Sequence, residues 1–391
     1  MSPGPDDRID APPDRGDIPA RFVWHQPVSV RFGAGAAEAA GEVLGRRRAL
    51  VLAFAPARSL SVAAQWQAVL GKRLIDWIDV DDGLATLGRV RAWAERVWPR
   101  LEASDDAVII AIGGGTTLDL AKVLRCRPAD SDADALCAAL RGLNNWPPLA
   151  LAELWLVPTT AGTGSEVTRW ATIWDTDGPV AEKRSFDEPF GYAERAFVDP
   201  TLCASCPNNV TRDCGLDALA HALESIWNHH ANPISDALAL AAARRIVSTL
   251  PSLLERPDNA AQRAAMSLAS LEAGLAFAQT RTALAHALSY AVTLEQGLPH
   301  GHACALWLPT AWGLAQGVDG HVDRLLGSLF DGGGAFALAN WLRLVGIDPR
   351  PEALGLTDVR RRIESALRSP RGGNFIGTPP AAPKVATVVA S

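Results

Sequence analysis

Three consecutive glycines set between an apolar run and a helical run constrain this chain more than any other feature. The segment DAVIIAIGGGTTLDLAKVL places Val108–Ile112 directly before Gly113, Gly114 and Gly115. A short, continuous, β-branched run of this kind suits a strand buried on both faces of a parallel sheet. The following residues start a helix, with Thr116 and Thr117 in its first turn. Without side chains the glycine backbone turns tightly and approaches a ligand closely. The free N–H groups and positive dipole end of the helix then face an anion. The unit is expected to hold a pyrophosphate, with Gly113, Gly114, Gly115, Thr116 and Asp119 as candidate contacts. Asp119 and Lys122 complete a GGGxxxDxxK pattern, which is neither the dinucleotide GxGxxG nor the P-loop GxxxxGK[ST].

The next apolar run, Leu154–Val157, leads into a second glycine- and threonine-rich segment, PTTAGTGSE. Its Thr159, Thr160, Thr163 and Ser165 are candidates for holding a nicotinamide ribose or the second phosphate. Ala49–Ala53 is a third such run, and Leu87–Leu101 carries Val90, Trp93, Ala94, Val97 and Trp98 on one helical stripe. Strands alternating with helices argue for an α/β domain with a parallel sheet. After about Asp199–Pro200 the sequence turns Ala- and Leu-rich with helical periodicity and no strand pattern. At 391 residues the chain is too long for one ordinary core. The expected division is a disordered tail over 1–20, an α/β dinucleotide-binding domain over 21–203, a helical metal-binding domain over 204–368 and an irregular tail over 369–391.

Composition excludes several classes. The formal charge of −6 supplies no basic field for nucleic acid. No apolar run approaches the roughly 20 residues of a membrane span. The acidic, Pro-rich N-terminal segment lacks the apolar core of a signal peptide. Six scattered cysteines (126, 137, 203, 206, 214, 304) do not form the framework of a small secreted domain, so reduced thiols are expected, including Cys203 and Cys206 of a lone CxxC. The thirteen tryptophans are read as packing residues.

The second half carries a ligand-like constellation. Asp217 and His221 stand four residues apart in GLDALAHALES, on one face of a helix, with Cβ atoms about 5–6 Å apart. Leu216, Leu219, Leu223 and Ile226 define the neighbouring apolar face. His286 follows in ALAHALSY and His300 in GLPHGHACAL, where spacing favours His300 over His302. One carboxylate and three imidazoles form an O/N set that suits Fe(II), Zn, Mn, Co or Ni. His229 and His230 read as exposed residues closing a helix, while His25 and His321 have no evident partner.

With these motifs in hand, the chain resembles the iron-containing alcohol dehydrogenase family from about Phe32 to Leu308. The resemblance implies the dehydroquinate synthase-like fold, with an N-terminal nucleotide-binding α/β domain, an all-helical C-terminal domain and the metal in the cleft between. It implies Asp217, His221, His286 and His300 as ligands of Fe2+ or, alternatively, Zn2+, the last two fourteen residues apart as in the family. It further implies a cytoplasmic homodimer that interconverts small aldehydes and alcohols with NADH or NADPH. Many members carry a His four residues beyond the third ligand, and here that place is Tyr290, a candidate proton relay. The stretch TRTALAHALSYAVTLEQGLPHGHA looks most like the branch that reduces phosphonoacetaldehyde to 2-hydroxyethylphosphonate. That substrate asks for a cationic pocket, with Lys183, Arg184 and Arg281 as candidates and Lys183 beside Tyr290 in the catalytic set. The region Arg371–Asn374 departs from the family's asparagine-rich ending. Phe54 replaces the Asp that NAD-preferring members often place after the first strand, with Arg58 beyond, so NADPH is tolerated. A non-redox enzyme of the dehydroquinate synthase type is the alternative.

Overall fold

Runs of apolar residues that alternate between two buried faces produce the central sheet. In Ala49–Phe54 (β2), Leu50 and Leu52 pack on one side while Val51 and Ala53 pack on the other. In Val108–Gly113 (β4), Ile109 and Ala111 oppose Ile110 and Ile112 in the same way. Residues pointing to both faces must all be apolar when helices cover both. The computed structural model describes residues 21–379 except 59, 60, 82, 105 and 180, and leaves the side chains of 57, 58, 61 and 62 undescribed. The expected tail over 1–20, the end of the C-terminal tail from 380 and the Arg58 side chain therefore lie outside the described residues.

The sheet has six parallel strands in the order β1-β10-β7-β4-β2-β3. The others are Ser29–Phe32 (β1), Leu74–Val80 (β3), Glu153–Pro158 (β7) and Arg195–Val198 (β10). Helices Ala40–Leu44 (α1) and Ser61–Leu70 (α2) cover one face through Ala40, Leu44, Trp66 and Leu70. Helices Leu87–Glu102 (α3), Gly115–Leu124 (α4) and Ala133–Leu140 (α5) cover the other, and the stripe Val90, Trp93, Ala94, Val97 and Trp98 is buried there. Two antiparallel pairs were not apparent in the sequence: Cys126–Pro128 with Leu149–Leu151 (β5, β6), and Trp170–Asp175 with Glu182–Asp187 (β8, β9). The three-residue length of β5 and β6, and the charges of EKRSFD in β9, hide them.

Register places the two glycine-threonine segments side by side. Gly113 pairs with Pro158 at the C-terminal ends of β4 and β7, and the Thr159 N–H donates to the Gly113 carbonyl at 3.0 Å. Ligands of open parallel sheets bind in the crevice outside these strand ends.

Among the described residues beyond 207 the elements are helices: Asn208–Ile226 (α6), Pro233–Glu255 (α7), Ala260–Thr280 (α8), Leu284–Gln296 (α9), His300–Ala305 (α10), Leu308–Ala315 (α11), Gly320–Gly327 (α12), Gly334–Leu344 (α13) and Val359–Leu367 (α14). The fold class is thus the one expected, a parallel α/β sheet followed by a helical domain. Helix α6 is buried continuously from Gly215 to Ile226. It runs through the centre of one apolar cluster with α7, α8, α9 and α10 around it. Helix α7 is long and apolar enough by composition to cross a membrane. Its Ala239, Ala242, Ala243, Ile246, Leu250 and Leu253 instead close on α6 and α8. Asn232 starts it with a capping box and Pro233 at the first position, which fixes the Asn-Pro boundary.

Candidate active site

Spacing along α6 puts Asp217, His221 and Glu224 at i, i+4 and i+7, a polar stripe on the buried part of the helix. The third position of α9 supplies His286, and the first residue of α10 supplies His300. All three imidazoles point at one atom. The Nε2 atoms of His286, His221 and His300 lie 3.5, 3.8 and 3.9 Å from Asp217 Oδ1. The His221 ring is stacked between Phe277, at 4.0 Å, and His286, at 4.7 Å between centroids. The structure therefore brings together all four residues read as ligands, with His300 the most open at 39% of its side-chain area. His302 lies instead in the field of Asp213 and Arg212.

Close backbone approach makes this convergence possible. A Cβ on Gly301 would stand 1.9 Å from the Asp213 carbonyl oxygen, so α10 can seat on α6 and deliver His300 only with glycine there. Gly164, at φ +57°, meets Gly274 of α8 the same way, with a built Cβ 2.6 Å from the Gly274 Cα. The PTTAGTGSE loop is thereby clamped between the sheet and the helical domain.

Glu224 is the residue that sequence reading missed. It is fully buried and accepts from the backbone N–H of Ala283 at 2.8 Å and of His286 at 3.1 Å, while His286 Nδ1 sits 2.6 Å from its carboxylate. Burial alone would raise Glu224, but His286 and the two N–H groups outweigh it and hold the carboxyl below its usual range. This contact fixes the imidazole tautomer and aims Nε2 at Asp217, as an outer partner of a metal-binding histidine does. The signal was present in the sequence as an acid in register with Asp217 and His221.

The donor set fits a divalent cation. Asp217 Oδ1 and His286 Nε2 are buried and make no hydrogen bond, a costly arrangement unless a ligand satisfies them. Burial opposes ionisation of Asp217, yet His221 and the other imidazoles hold it below the normal carboxylate range. Burial pushes His221 down to about 4 and His300 down to about 3, so both offer lone pairs at neutral pH. His286 is raised well above its ordinary value: burial opposes this, and the carboxylates of Glu224 and Asp217 outweigh it. Cys304, one turn beyond His300, also lies in the cluster, where ligand atoms of Asp217, His286, His300 and Cys304 fall within 4.8 Å of one another. Burial raises its thiol, which argues for a neutral S–H beside the site.

At the strand ends, Gly114 precedes α4 with no side chain capping the helix, which leaves first-turn N–H groups for an anion. Thr116 is exposed there, Thr160 half-buried and Thr159 buried. Phe54 ends β2, half-buried, on the same edge of the sheet. Asp119 and Ser165 face inward. The Ser165 hydroxyl donates to Asp119 at 2.7 Å, and the Thr172 N–H donates to the other Asp119 oxygen at 2.8 Å. Lys122, fully buried, donates to Ser165 at 2.8 Å and to the Trp170 carbonyl at 2.7 Å, and burial lowers it to about 8. The Asp and Lys of GGGxxxDxxK thus tie the two loops together rather than presenting charge to a cofactor.

The expected cationic pocket needs correction. Arg184 is held by Glu182 at 2.6 Å and lies 3.8 Å from Asp175, and Arg281 pairs with Asp187 at 2.7 Å. Lys183 alone of the three reaches the site, its Nζ 3.8 Å above the centre of the Tyr290 ring. Tyr290 in turn lies parallel to His300, ring centres 5.8 Å apart. Burial opposes ionisation of Tyr290, but Lys183 and Arg371 lower it below its ordinary value. Two histidines read as partnerless have partners: His321 Nε2 lies 3.1 Å from Asp236, and the His25 ring packs edgewise on Tyr192 at 5.8 Å.

Comparison with known proteins agrees with this geometry. Residues 27–200 match the family model for iron-containing alcohol dehydrogenase, and residues 211–330 match that for the C-terminal part of the Fe-containing alcohol dehydrogenase family. The chain is 35% identical over 234 residues to the phosphonoacetaldehyde reductase of Streptomyces viridochromogenes, covering 59% of this chain and 57% of that protein. It is 35% identical over 219 residues to the 1-propanol dehydrogenase of Salmonella typhimurium, covering 56% and 54%. The chain thus spans about half the length of the curated relatives it matches. The sulfoacetaldehyde reductase of Bifidobacterium kashiwanohense, solved in complex with NAD+, superposes with a TM-score of 0.79 at 25% identity, covering 91% of this chain and 94% of that one.

His286 is raised above its ordinary value in the metal-free protein, so Zn2+ uptake should release protons and affinity should rise with pH. Calorimetry in buffers of different ionisation enthalpy checks this, and pH-independent uptake contradicts it. Glu224→Gln should weaken metal binding by about 10–100-fold, whereas Gly301→Ala should lower both metal stoichiometry and melting temperature because the seat of α10 must shift.

Proposed function

Since the chain belongs to the iron-containing alcohol dehydrogenase family, we propose that it reduces a small aldehyde to a primary alcohol with a nicotinamide dinucleotide and a bound divalent metal. The observation that carries this reading is the convergence of three imidazoles on Asp217 Oδ1, one of them locked by Glu224. Asp217, His221, His286 and His300 would hold Fe2+, with Zn2+ as the alternative. The bound cation would supply a Lewis acid for the aldehyde carbonyl and the reduced nicotinamide a hydride.

The protein's own residues orient, exclude water and move a proton. The α4 N-terminus after Gly113–Gly115 binds the pyrophosphate, and the threonines of PTTAGTGSE line the adjoining path. Phe54 removes the carboxylate that would repel a 2′-phosphate, which favours NADPH while NADH remains usable. Net reduction of an aldehyde consumes one proton. Tyr290 is placed to supply it from beside His300, and Lys183 over its ring stabilises the phenolate left behind. The preferred substrate in this reading is phosphonoacetaldehyde, reduced to 2-hydroxyethylphosphonate. The likeness to two reductases of acidic two-carbon aldehydes supports it. The reading carries with it a cytoplasmic homodimer.

Full-length protein reconstituted with Fe2+ or Zn2+ should oxidise NADPH only when an aldehyde is added, and His286→Ala should lose metal and turnover together, by at least a hundredfold. Turnover of a substrate with no net nicotinamide oxidation would point instead to a lyase of the dehydroquinate synthase type. Full activity in metal-free His286→Ala protein would refute the metal role.

A further inference from the structure

The C-terminal segment brings a second cation to Lys183. Arg371 precedes the short turn Gly372–Asn374, and its guanidinium lies 5.3 Å from the centre of the same Tyr290 ring. Its position is fixed by hydroxyls and by the turn behind it. One guanidinium nitrogen donates to Thr282 Oγ1 at 2.8 Å and another to Ser185 Oγ at 3.1 Å. Asn374 donates to the Thr282 carbonyl at 2.8 Å, and Phe375 is buried against Trp227. The tail is thereby pinned to the start of α9 and reaches across to β9 of the other domain.

Neither Lys183 nor Arg371 forms an ion pair with any described residue. Their neighbours do: Arg184, Arg281 and Arg169 are all bound to Asp or Glu side chains. Two like charges gathered on one aromatic ring, half-buried and without a carboxylate, repel each other and lose hydration. Lys183 feels both effects: burial weakens its hold on a proton, Tyr290 opposes this, and Arg371 adds to it. The Tyr290 hydroxyl is buried and makes no hydrogen bond. Such an arrangement persists where an anion completes it.

We infer that Lys183 and Arg371, with the hydroxyls of Ser185 and Thr282, form the recognition site for a tetrahedral oxyanion at the far end of the aldehyde substrate. This rests on the functional reading above and deepens it. Lys183, Arg371 and His300 all gather on one ring, at 3.8, 5.3 and 5.8 Å from the centre of Tyr290. The acidic group and the carbonyl must therefore be close together, as in a two-carbon aldehyde bearing a phosphonate or a sulfonate. Arg371 is the specificity residue, since its planar fork can meet two oxygens of one such group while Lys183 adds a point charge.

The test uses the metal-reconstituted full chain and compares kcat/KM for phosphonoacetaldehyde, sulfoacetaldehyde and propanal. The wild-type protein should favour an acidic aldehyde, with the phosphonate ahead of the sulfonate if its second negative charge is read. Arg371→Met should reduce the ratio of acidic to neutral kcat/KM about a hundredfold, mainly through KM, and Arg371→Lys should restore part of it. Methylphosphonate should inhibit the wild type competitively against the aldehyde and lose that effect in Arg371→Met. Equal losses for propanal and the acidic aldehydes would make Arg371 a structural strut and overturn the inference. A change confined to the KM of NADPH would assign the pair to the cofactor and overturn it as well. A wild type that reduces propanal but shows no acidic preference leaves the reductase reading standing and ends the substrate inference. A wild type that reduces no aldehyde ends the reductase reading. In that event calorimetric binding of methylphosphonate, lost in Arg371→Met, shows the anion site on its own, and no binding removes it too.

Discussion

The contact between Glu224 and His286 organises the candidate site. A carboxylate with no exposure, in the last turn of a buried helix, is tolerable only because an imidazole and two backbone N–H groups satisfy it. Those same bonds fix the first turn of α9 against α6. They also turn His286 so that its free nitrogen faces Asp217. The helical domain and the metal-binding geometry thus share one polar joint, and neither can be set without the other.

Around that joint the chain packs closely through small residues. Gly301 allows α10 to lie on α6, and Gly164 allows the threonine-rich loop to touch α8. Lys122, Asp119 and Ser165 then bind this loop to the glycine loop of α4. The result is a crevice whose two sides are held by different physics, backbone contact on one side and a buried hydrogen-bond network on the other. Its floor is the edge of the sheet where Gly113 and Pro158 are in register.

Much of this was legible in the sequence because the relevant signals are local. Apolar runs before glycines predict buried parallel strands, and Asp217 with His221 at helical spacing predicts a shared face. The stripe of α3 follows from the same periodicity. What escaped was long-range or weakly patterned. Glu224 looks like an ordinary helix-favouring acid until His286, 62 residues away, is folded onto it. Arg184 and Arg281 appear as free as Lys183 until the strand β9 pairs with β8 and supplies the carboxylates that hold them. Arg371 sits in a segment of poor periodicity, and only the turn at Gly372–Asn374 and the burial of Phe375 carry it to Tyr290. Asp119 belonged to a motif that suggested cofactor contact, whereas its two oxygens serve the loops.

The central claim is that one carboxylate and three imidazoles hold a single cation while the nearby Cys304 thiol stays neutral and unbound. X-ray absorption at the metal edge of the zinc-reconstituted protein tests it most directly. The account predicts only nitrogen and oxygen neighbours, at about 2.0–2.2 Å. A sulfur neighbour at about 2.3 Å would put Cys304 in the coordination sphere and contradict it.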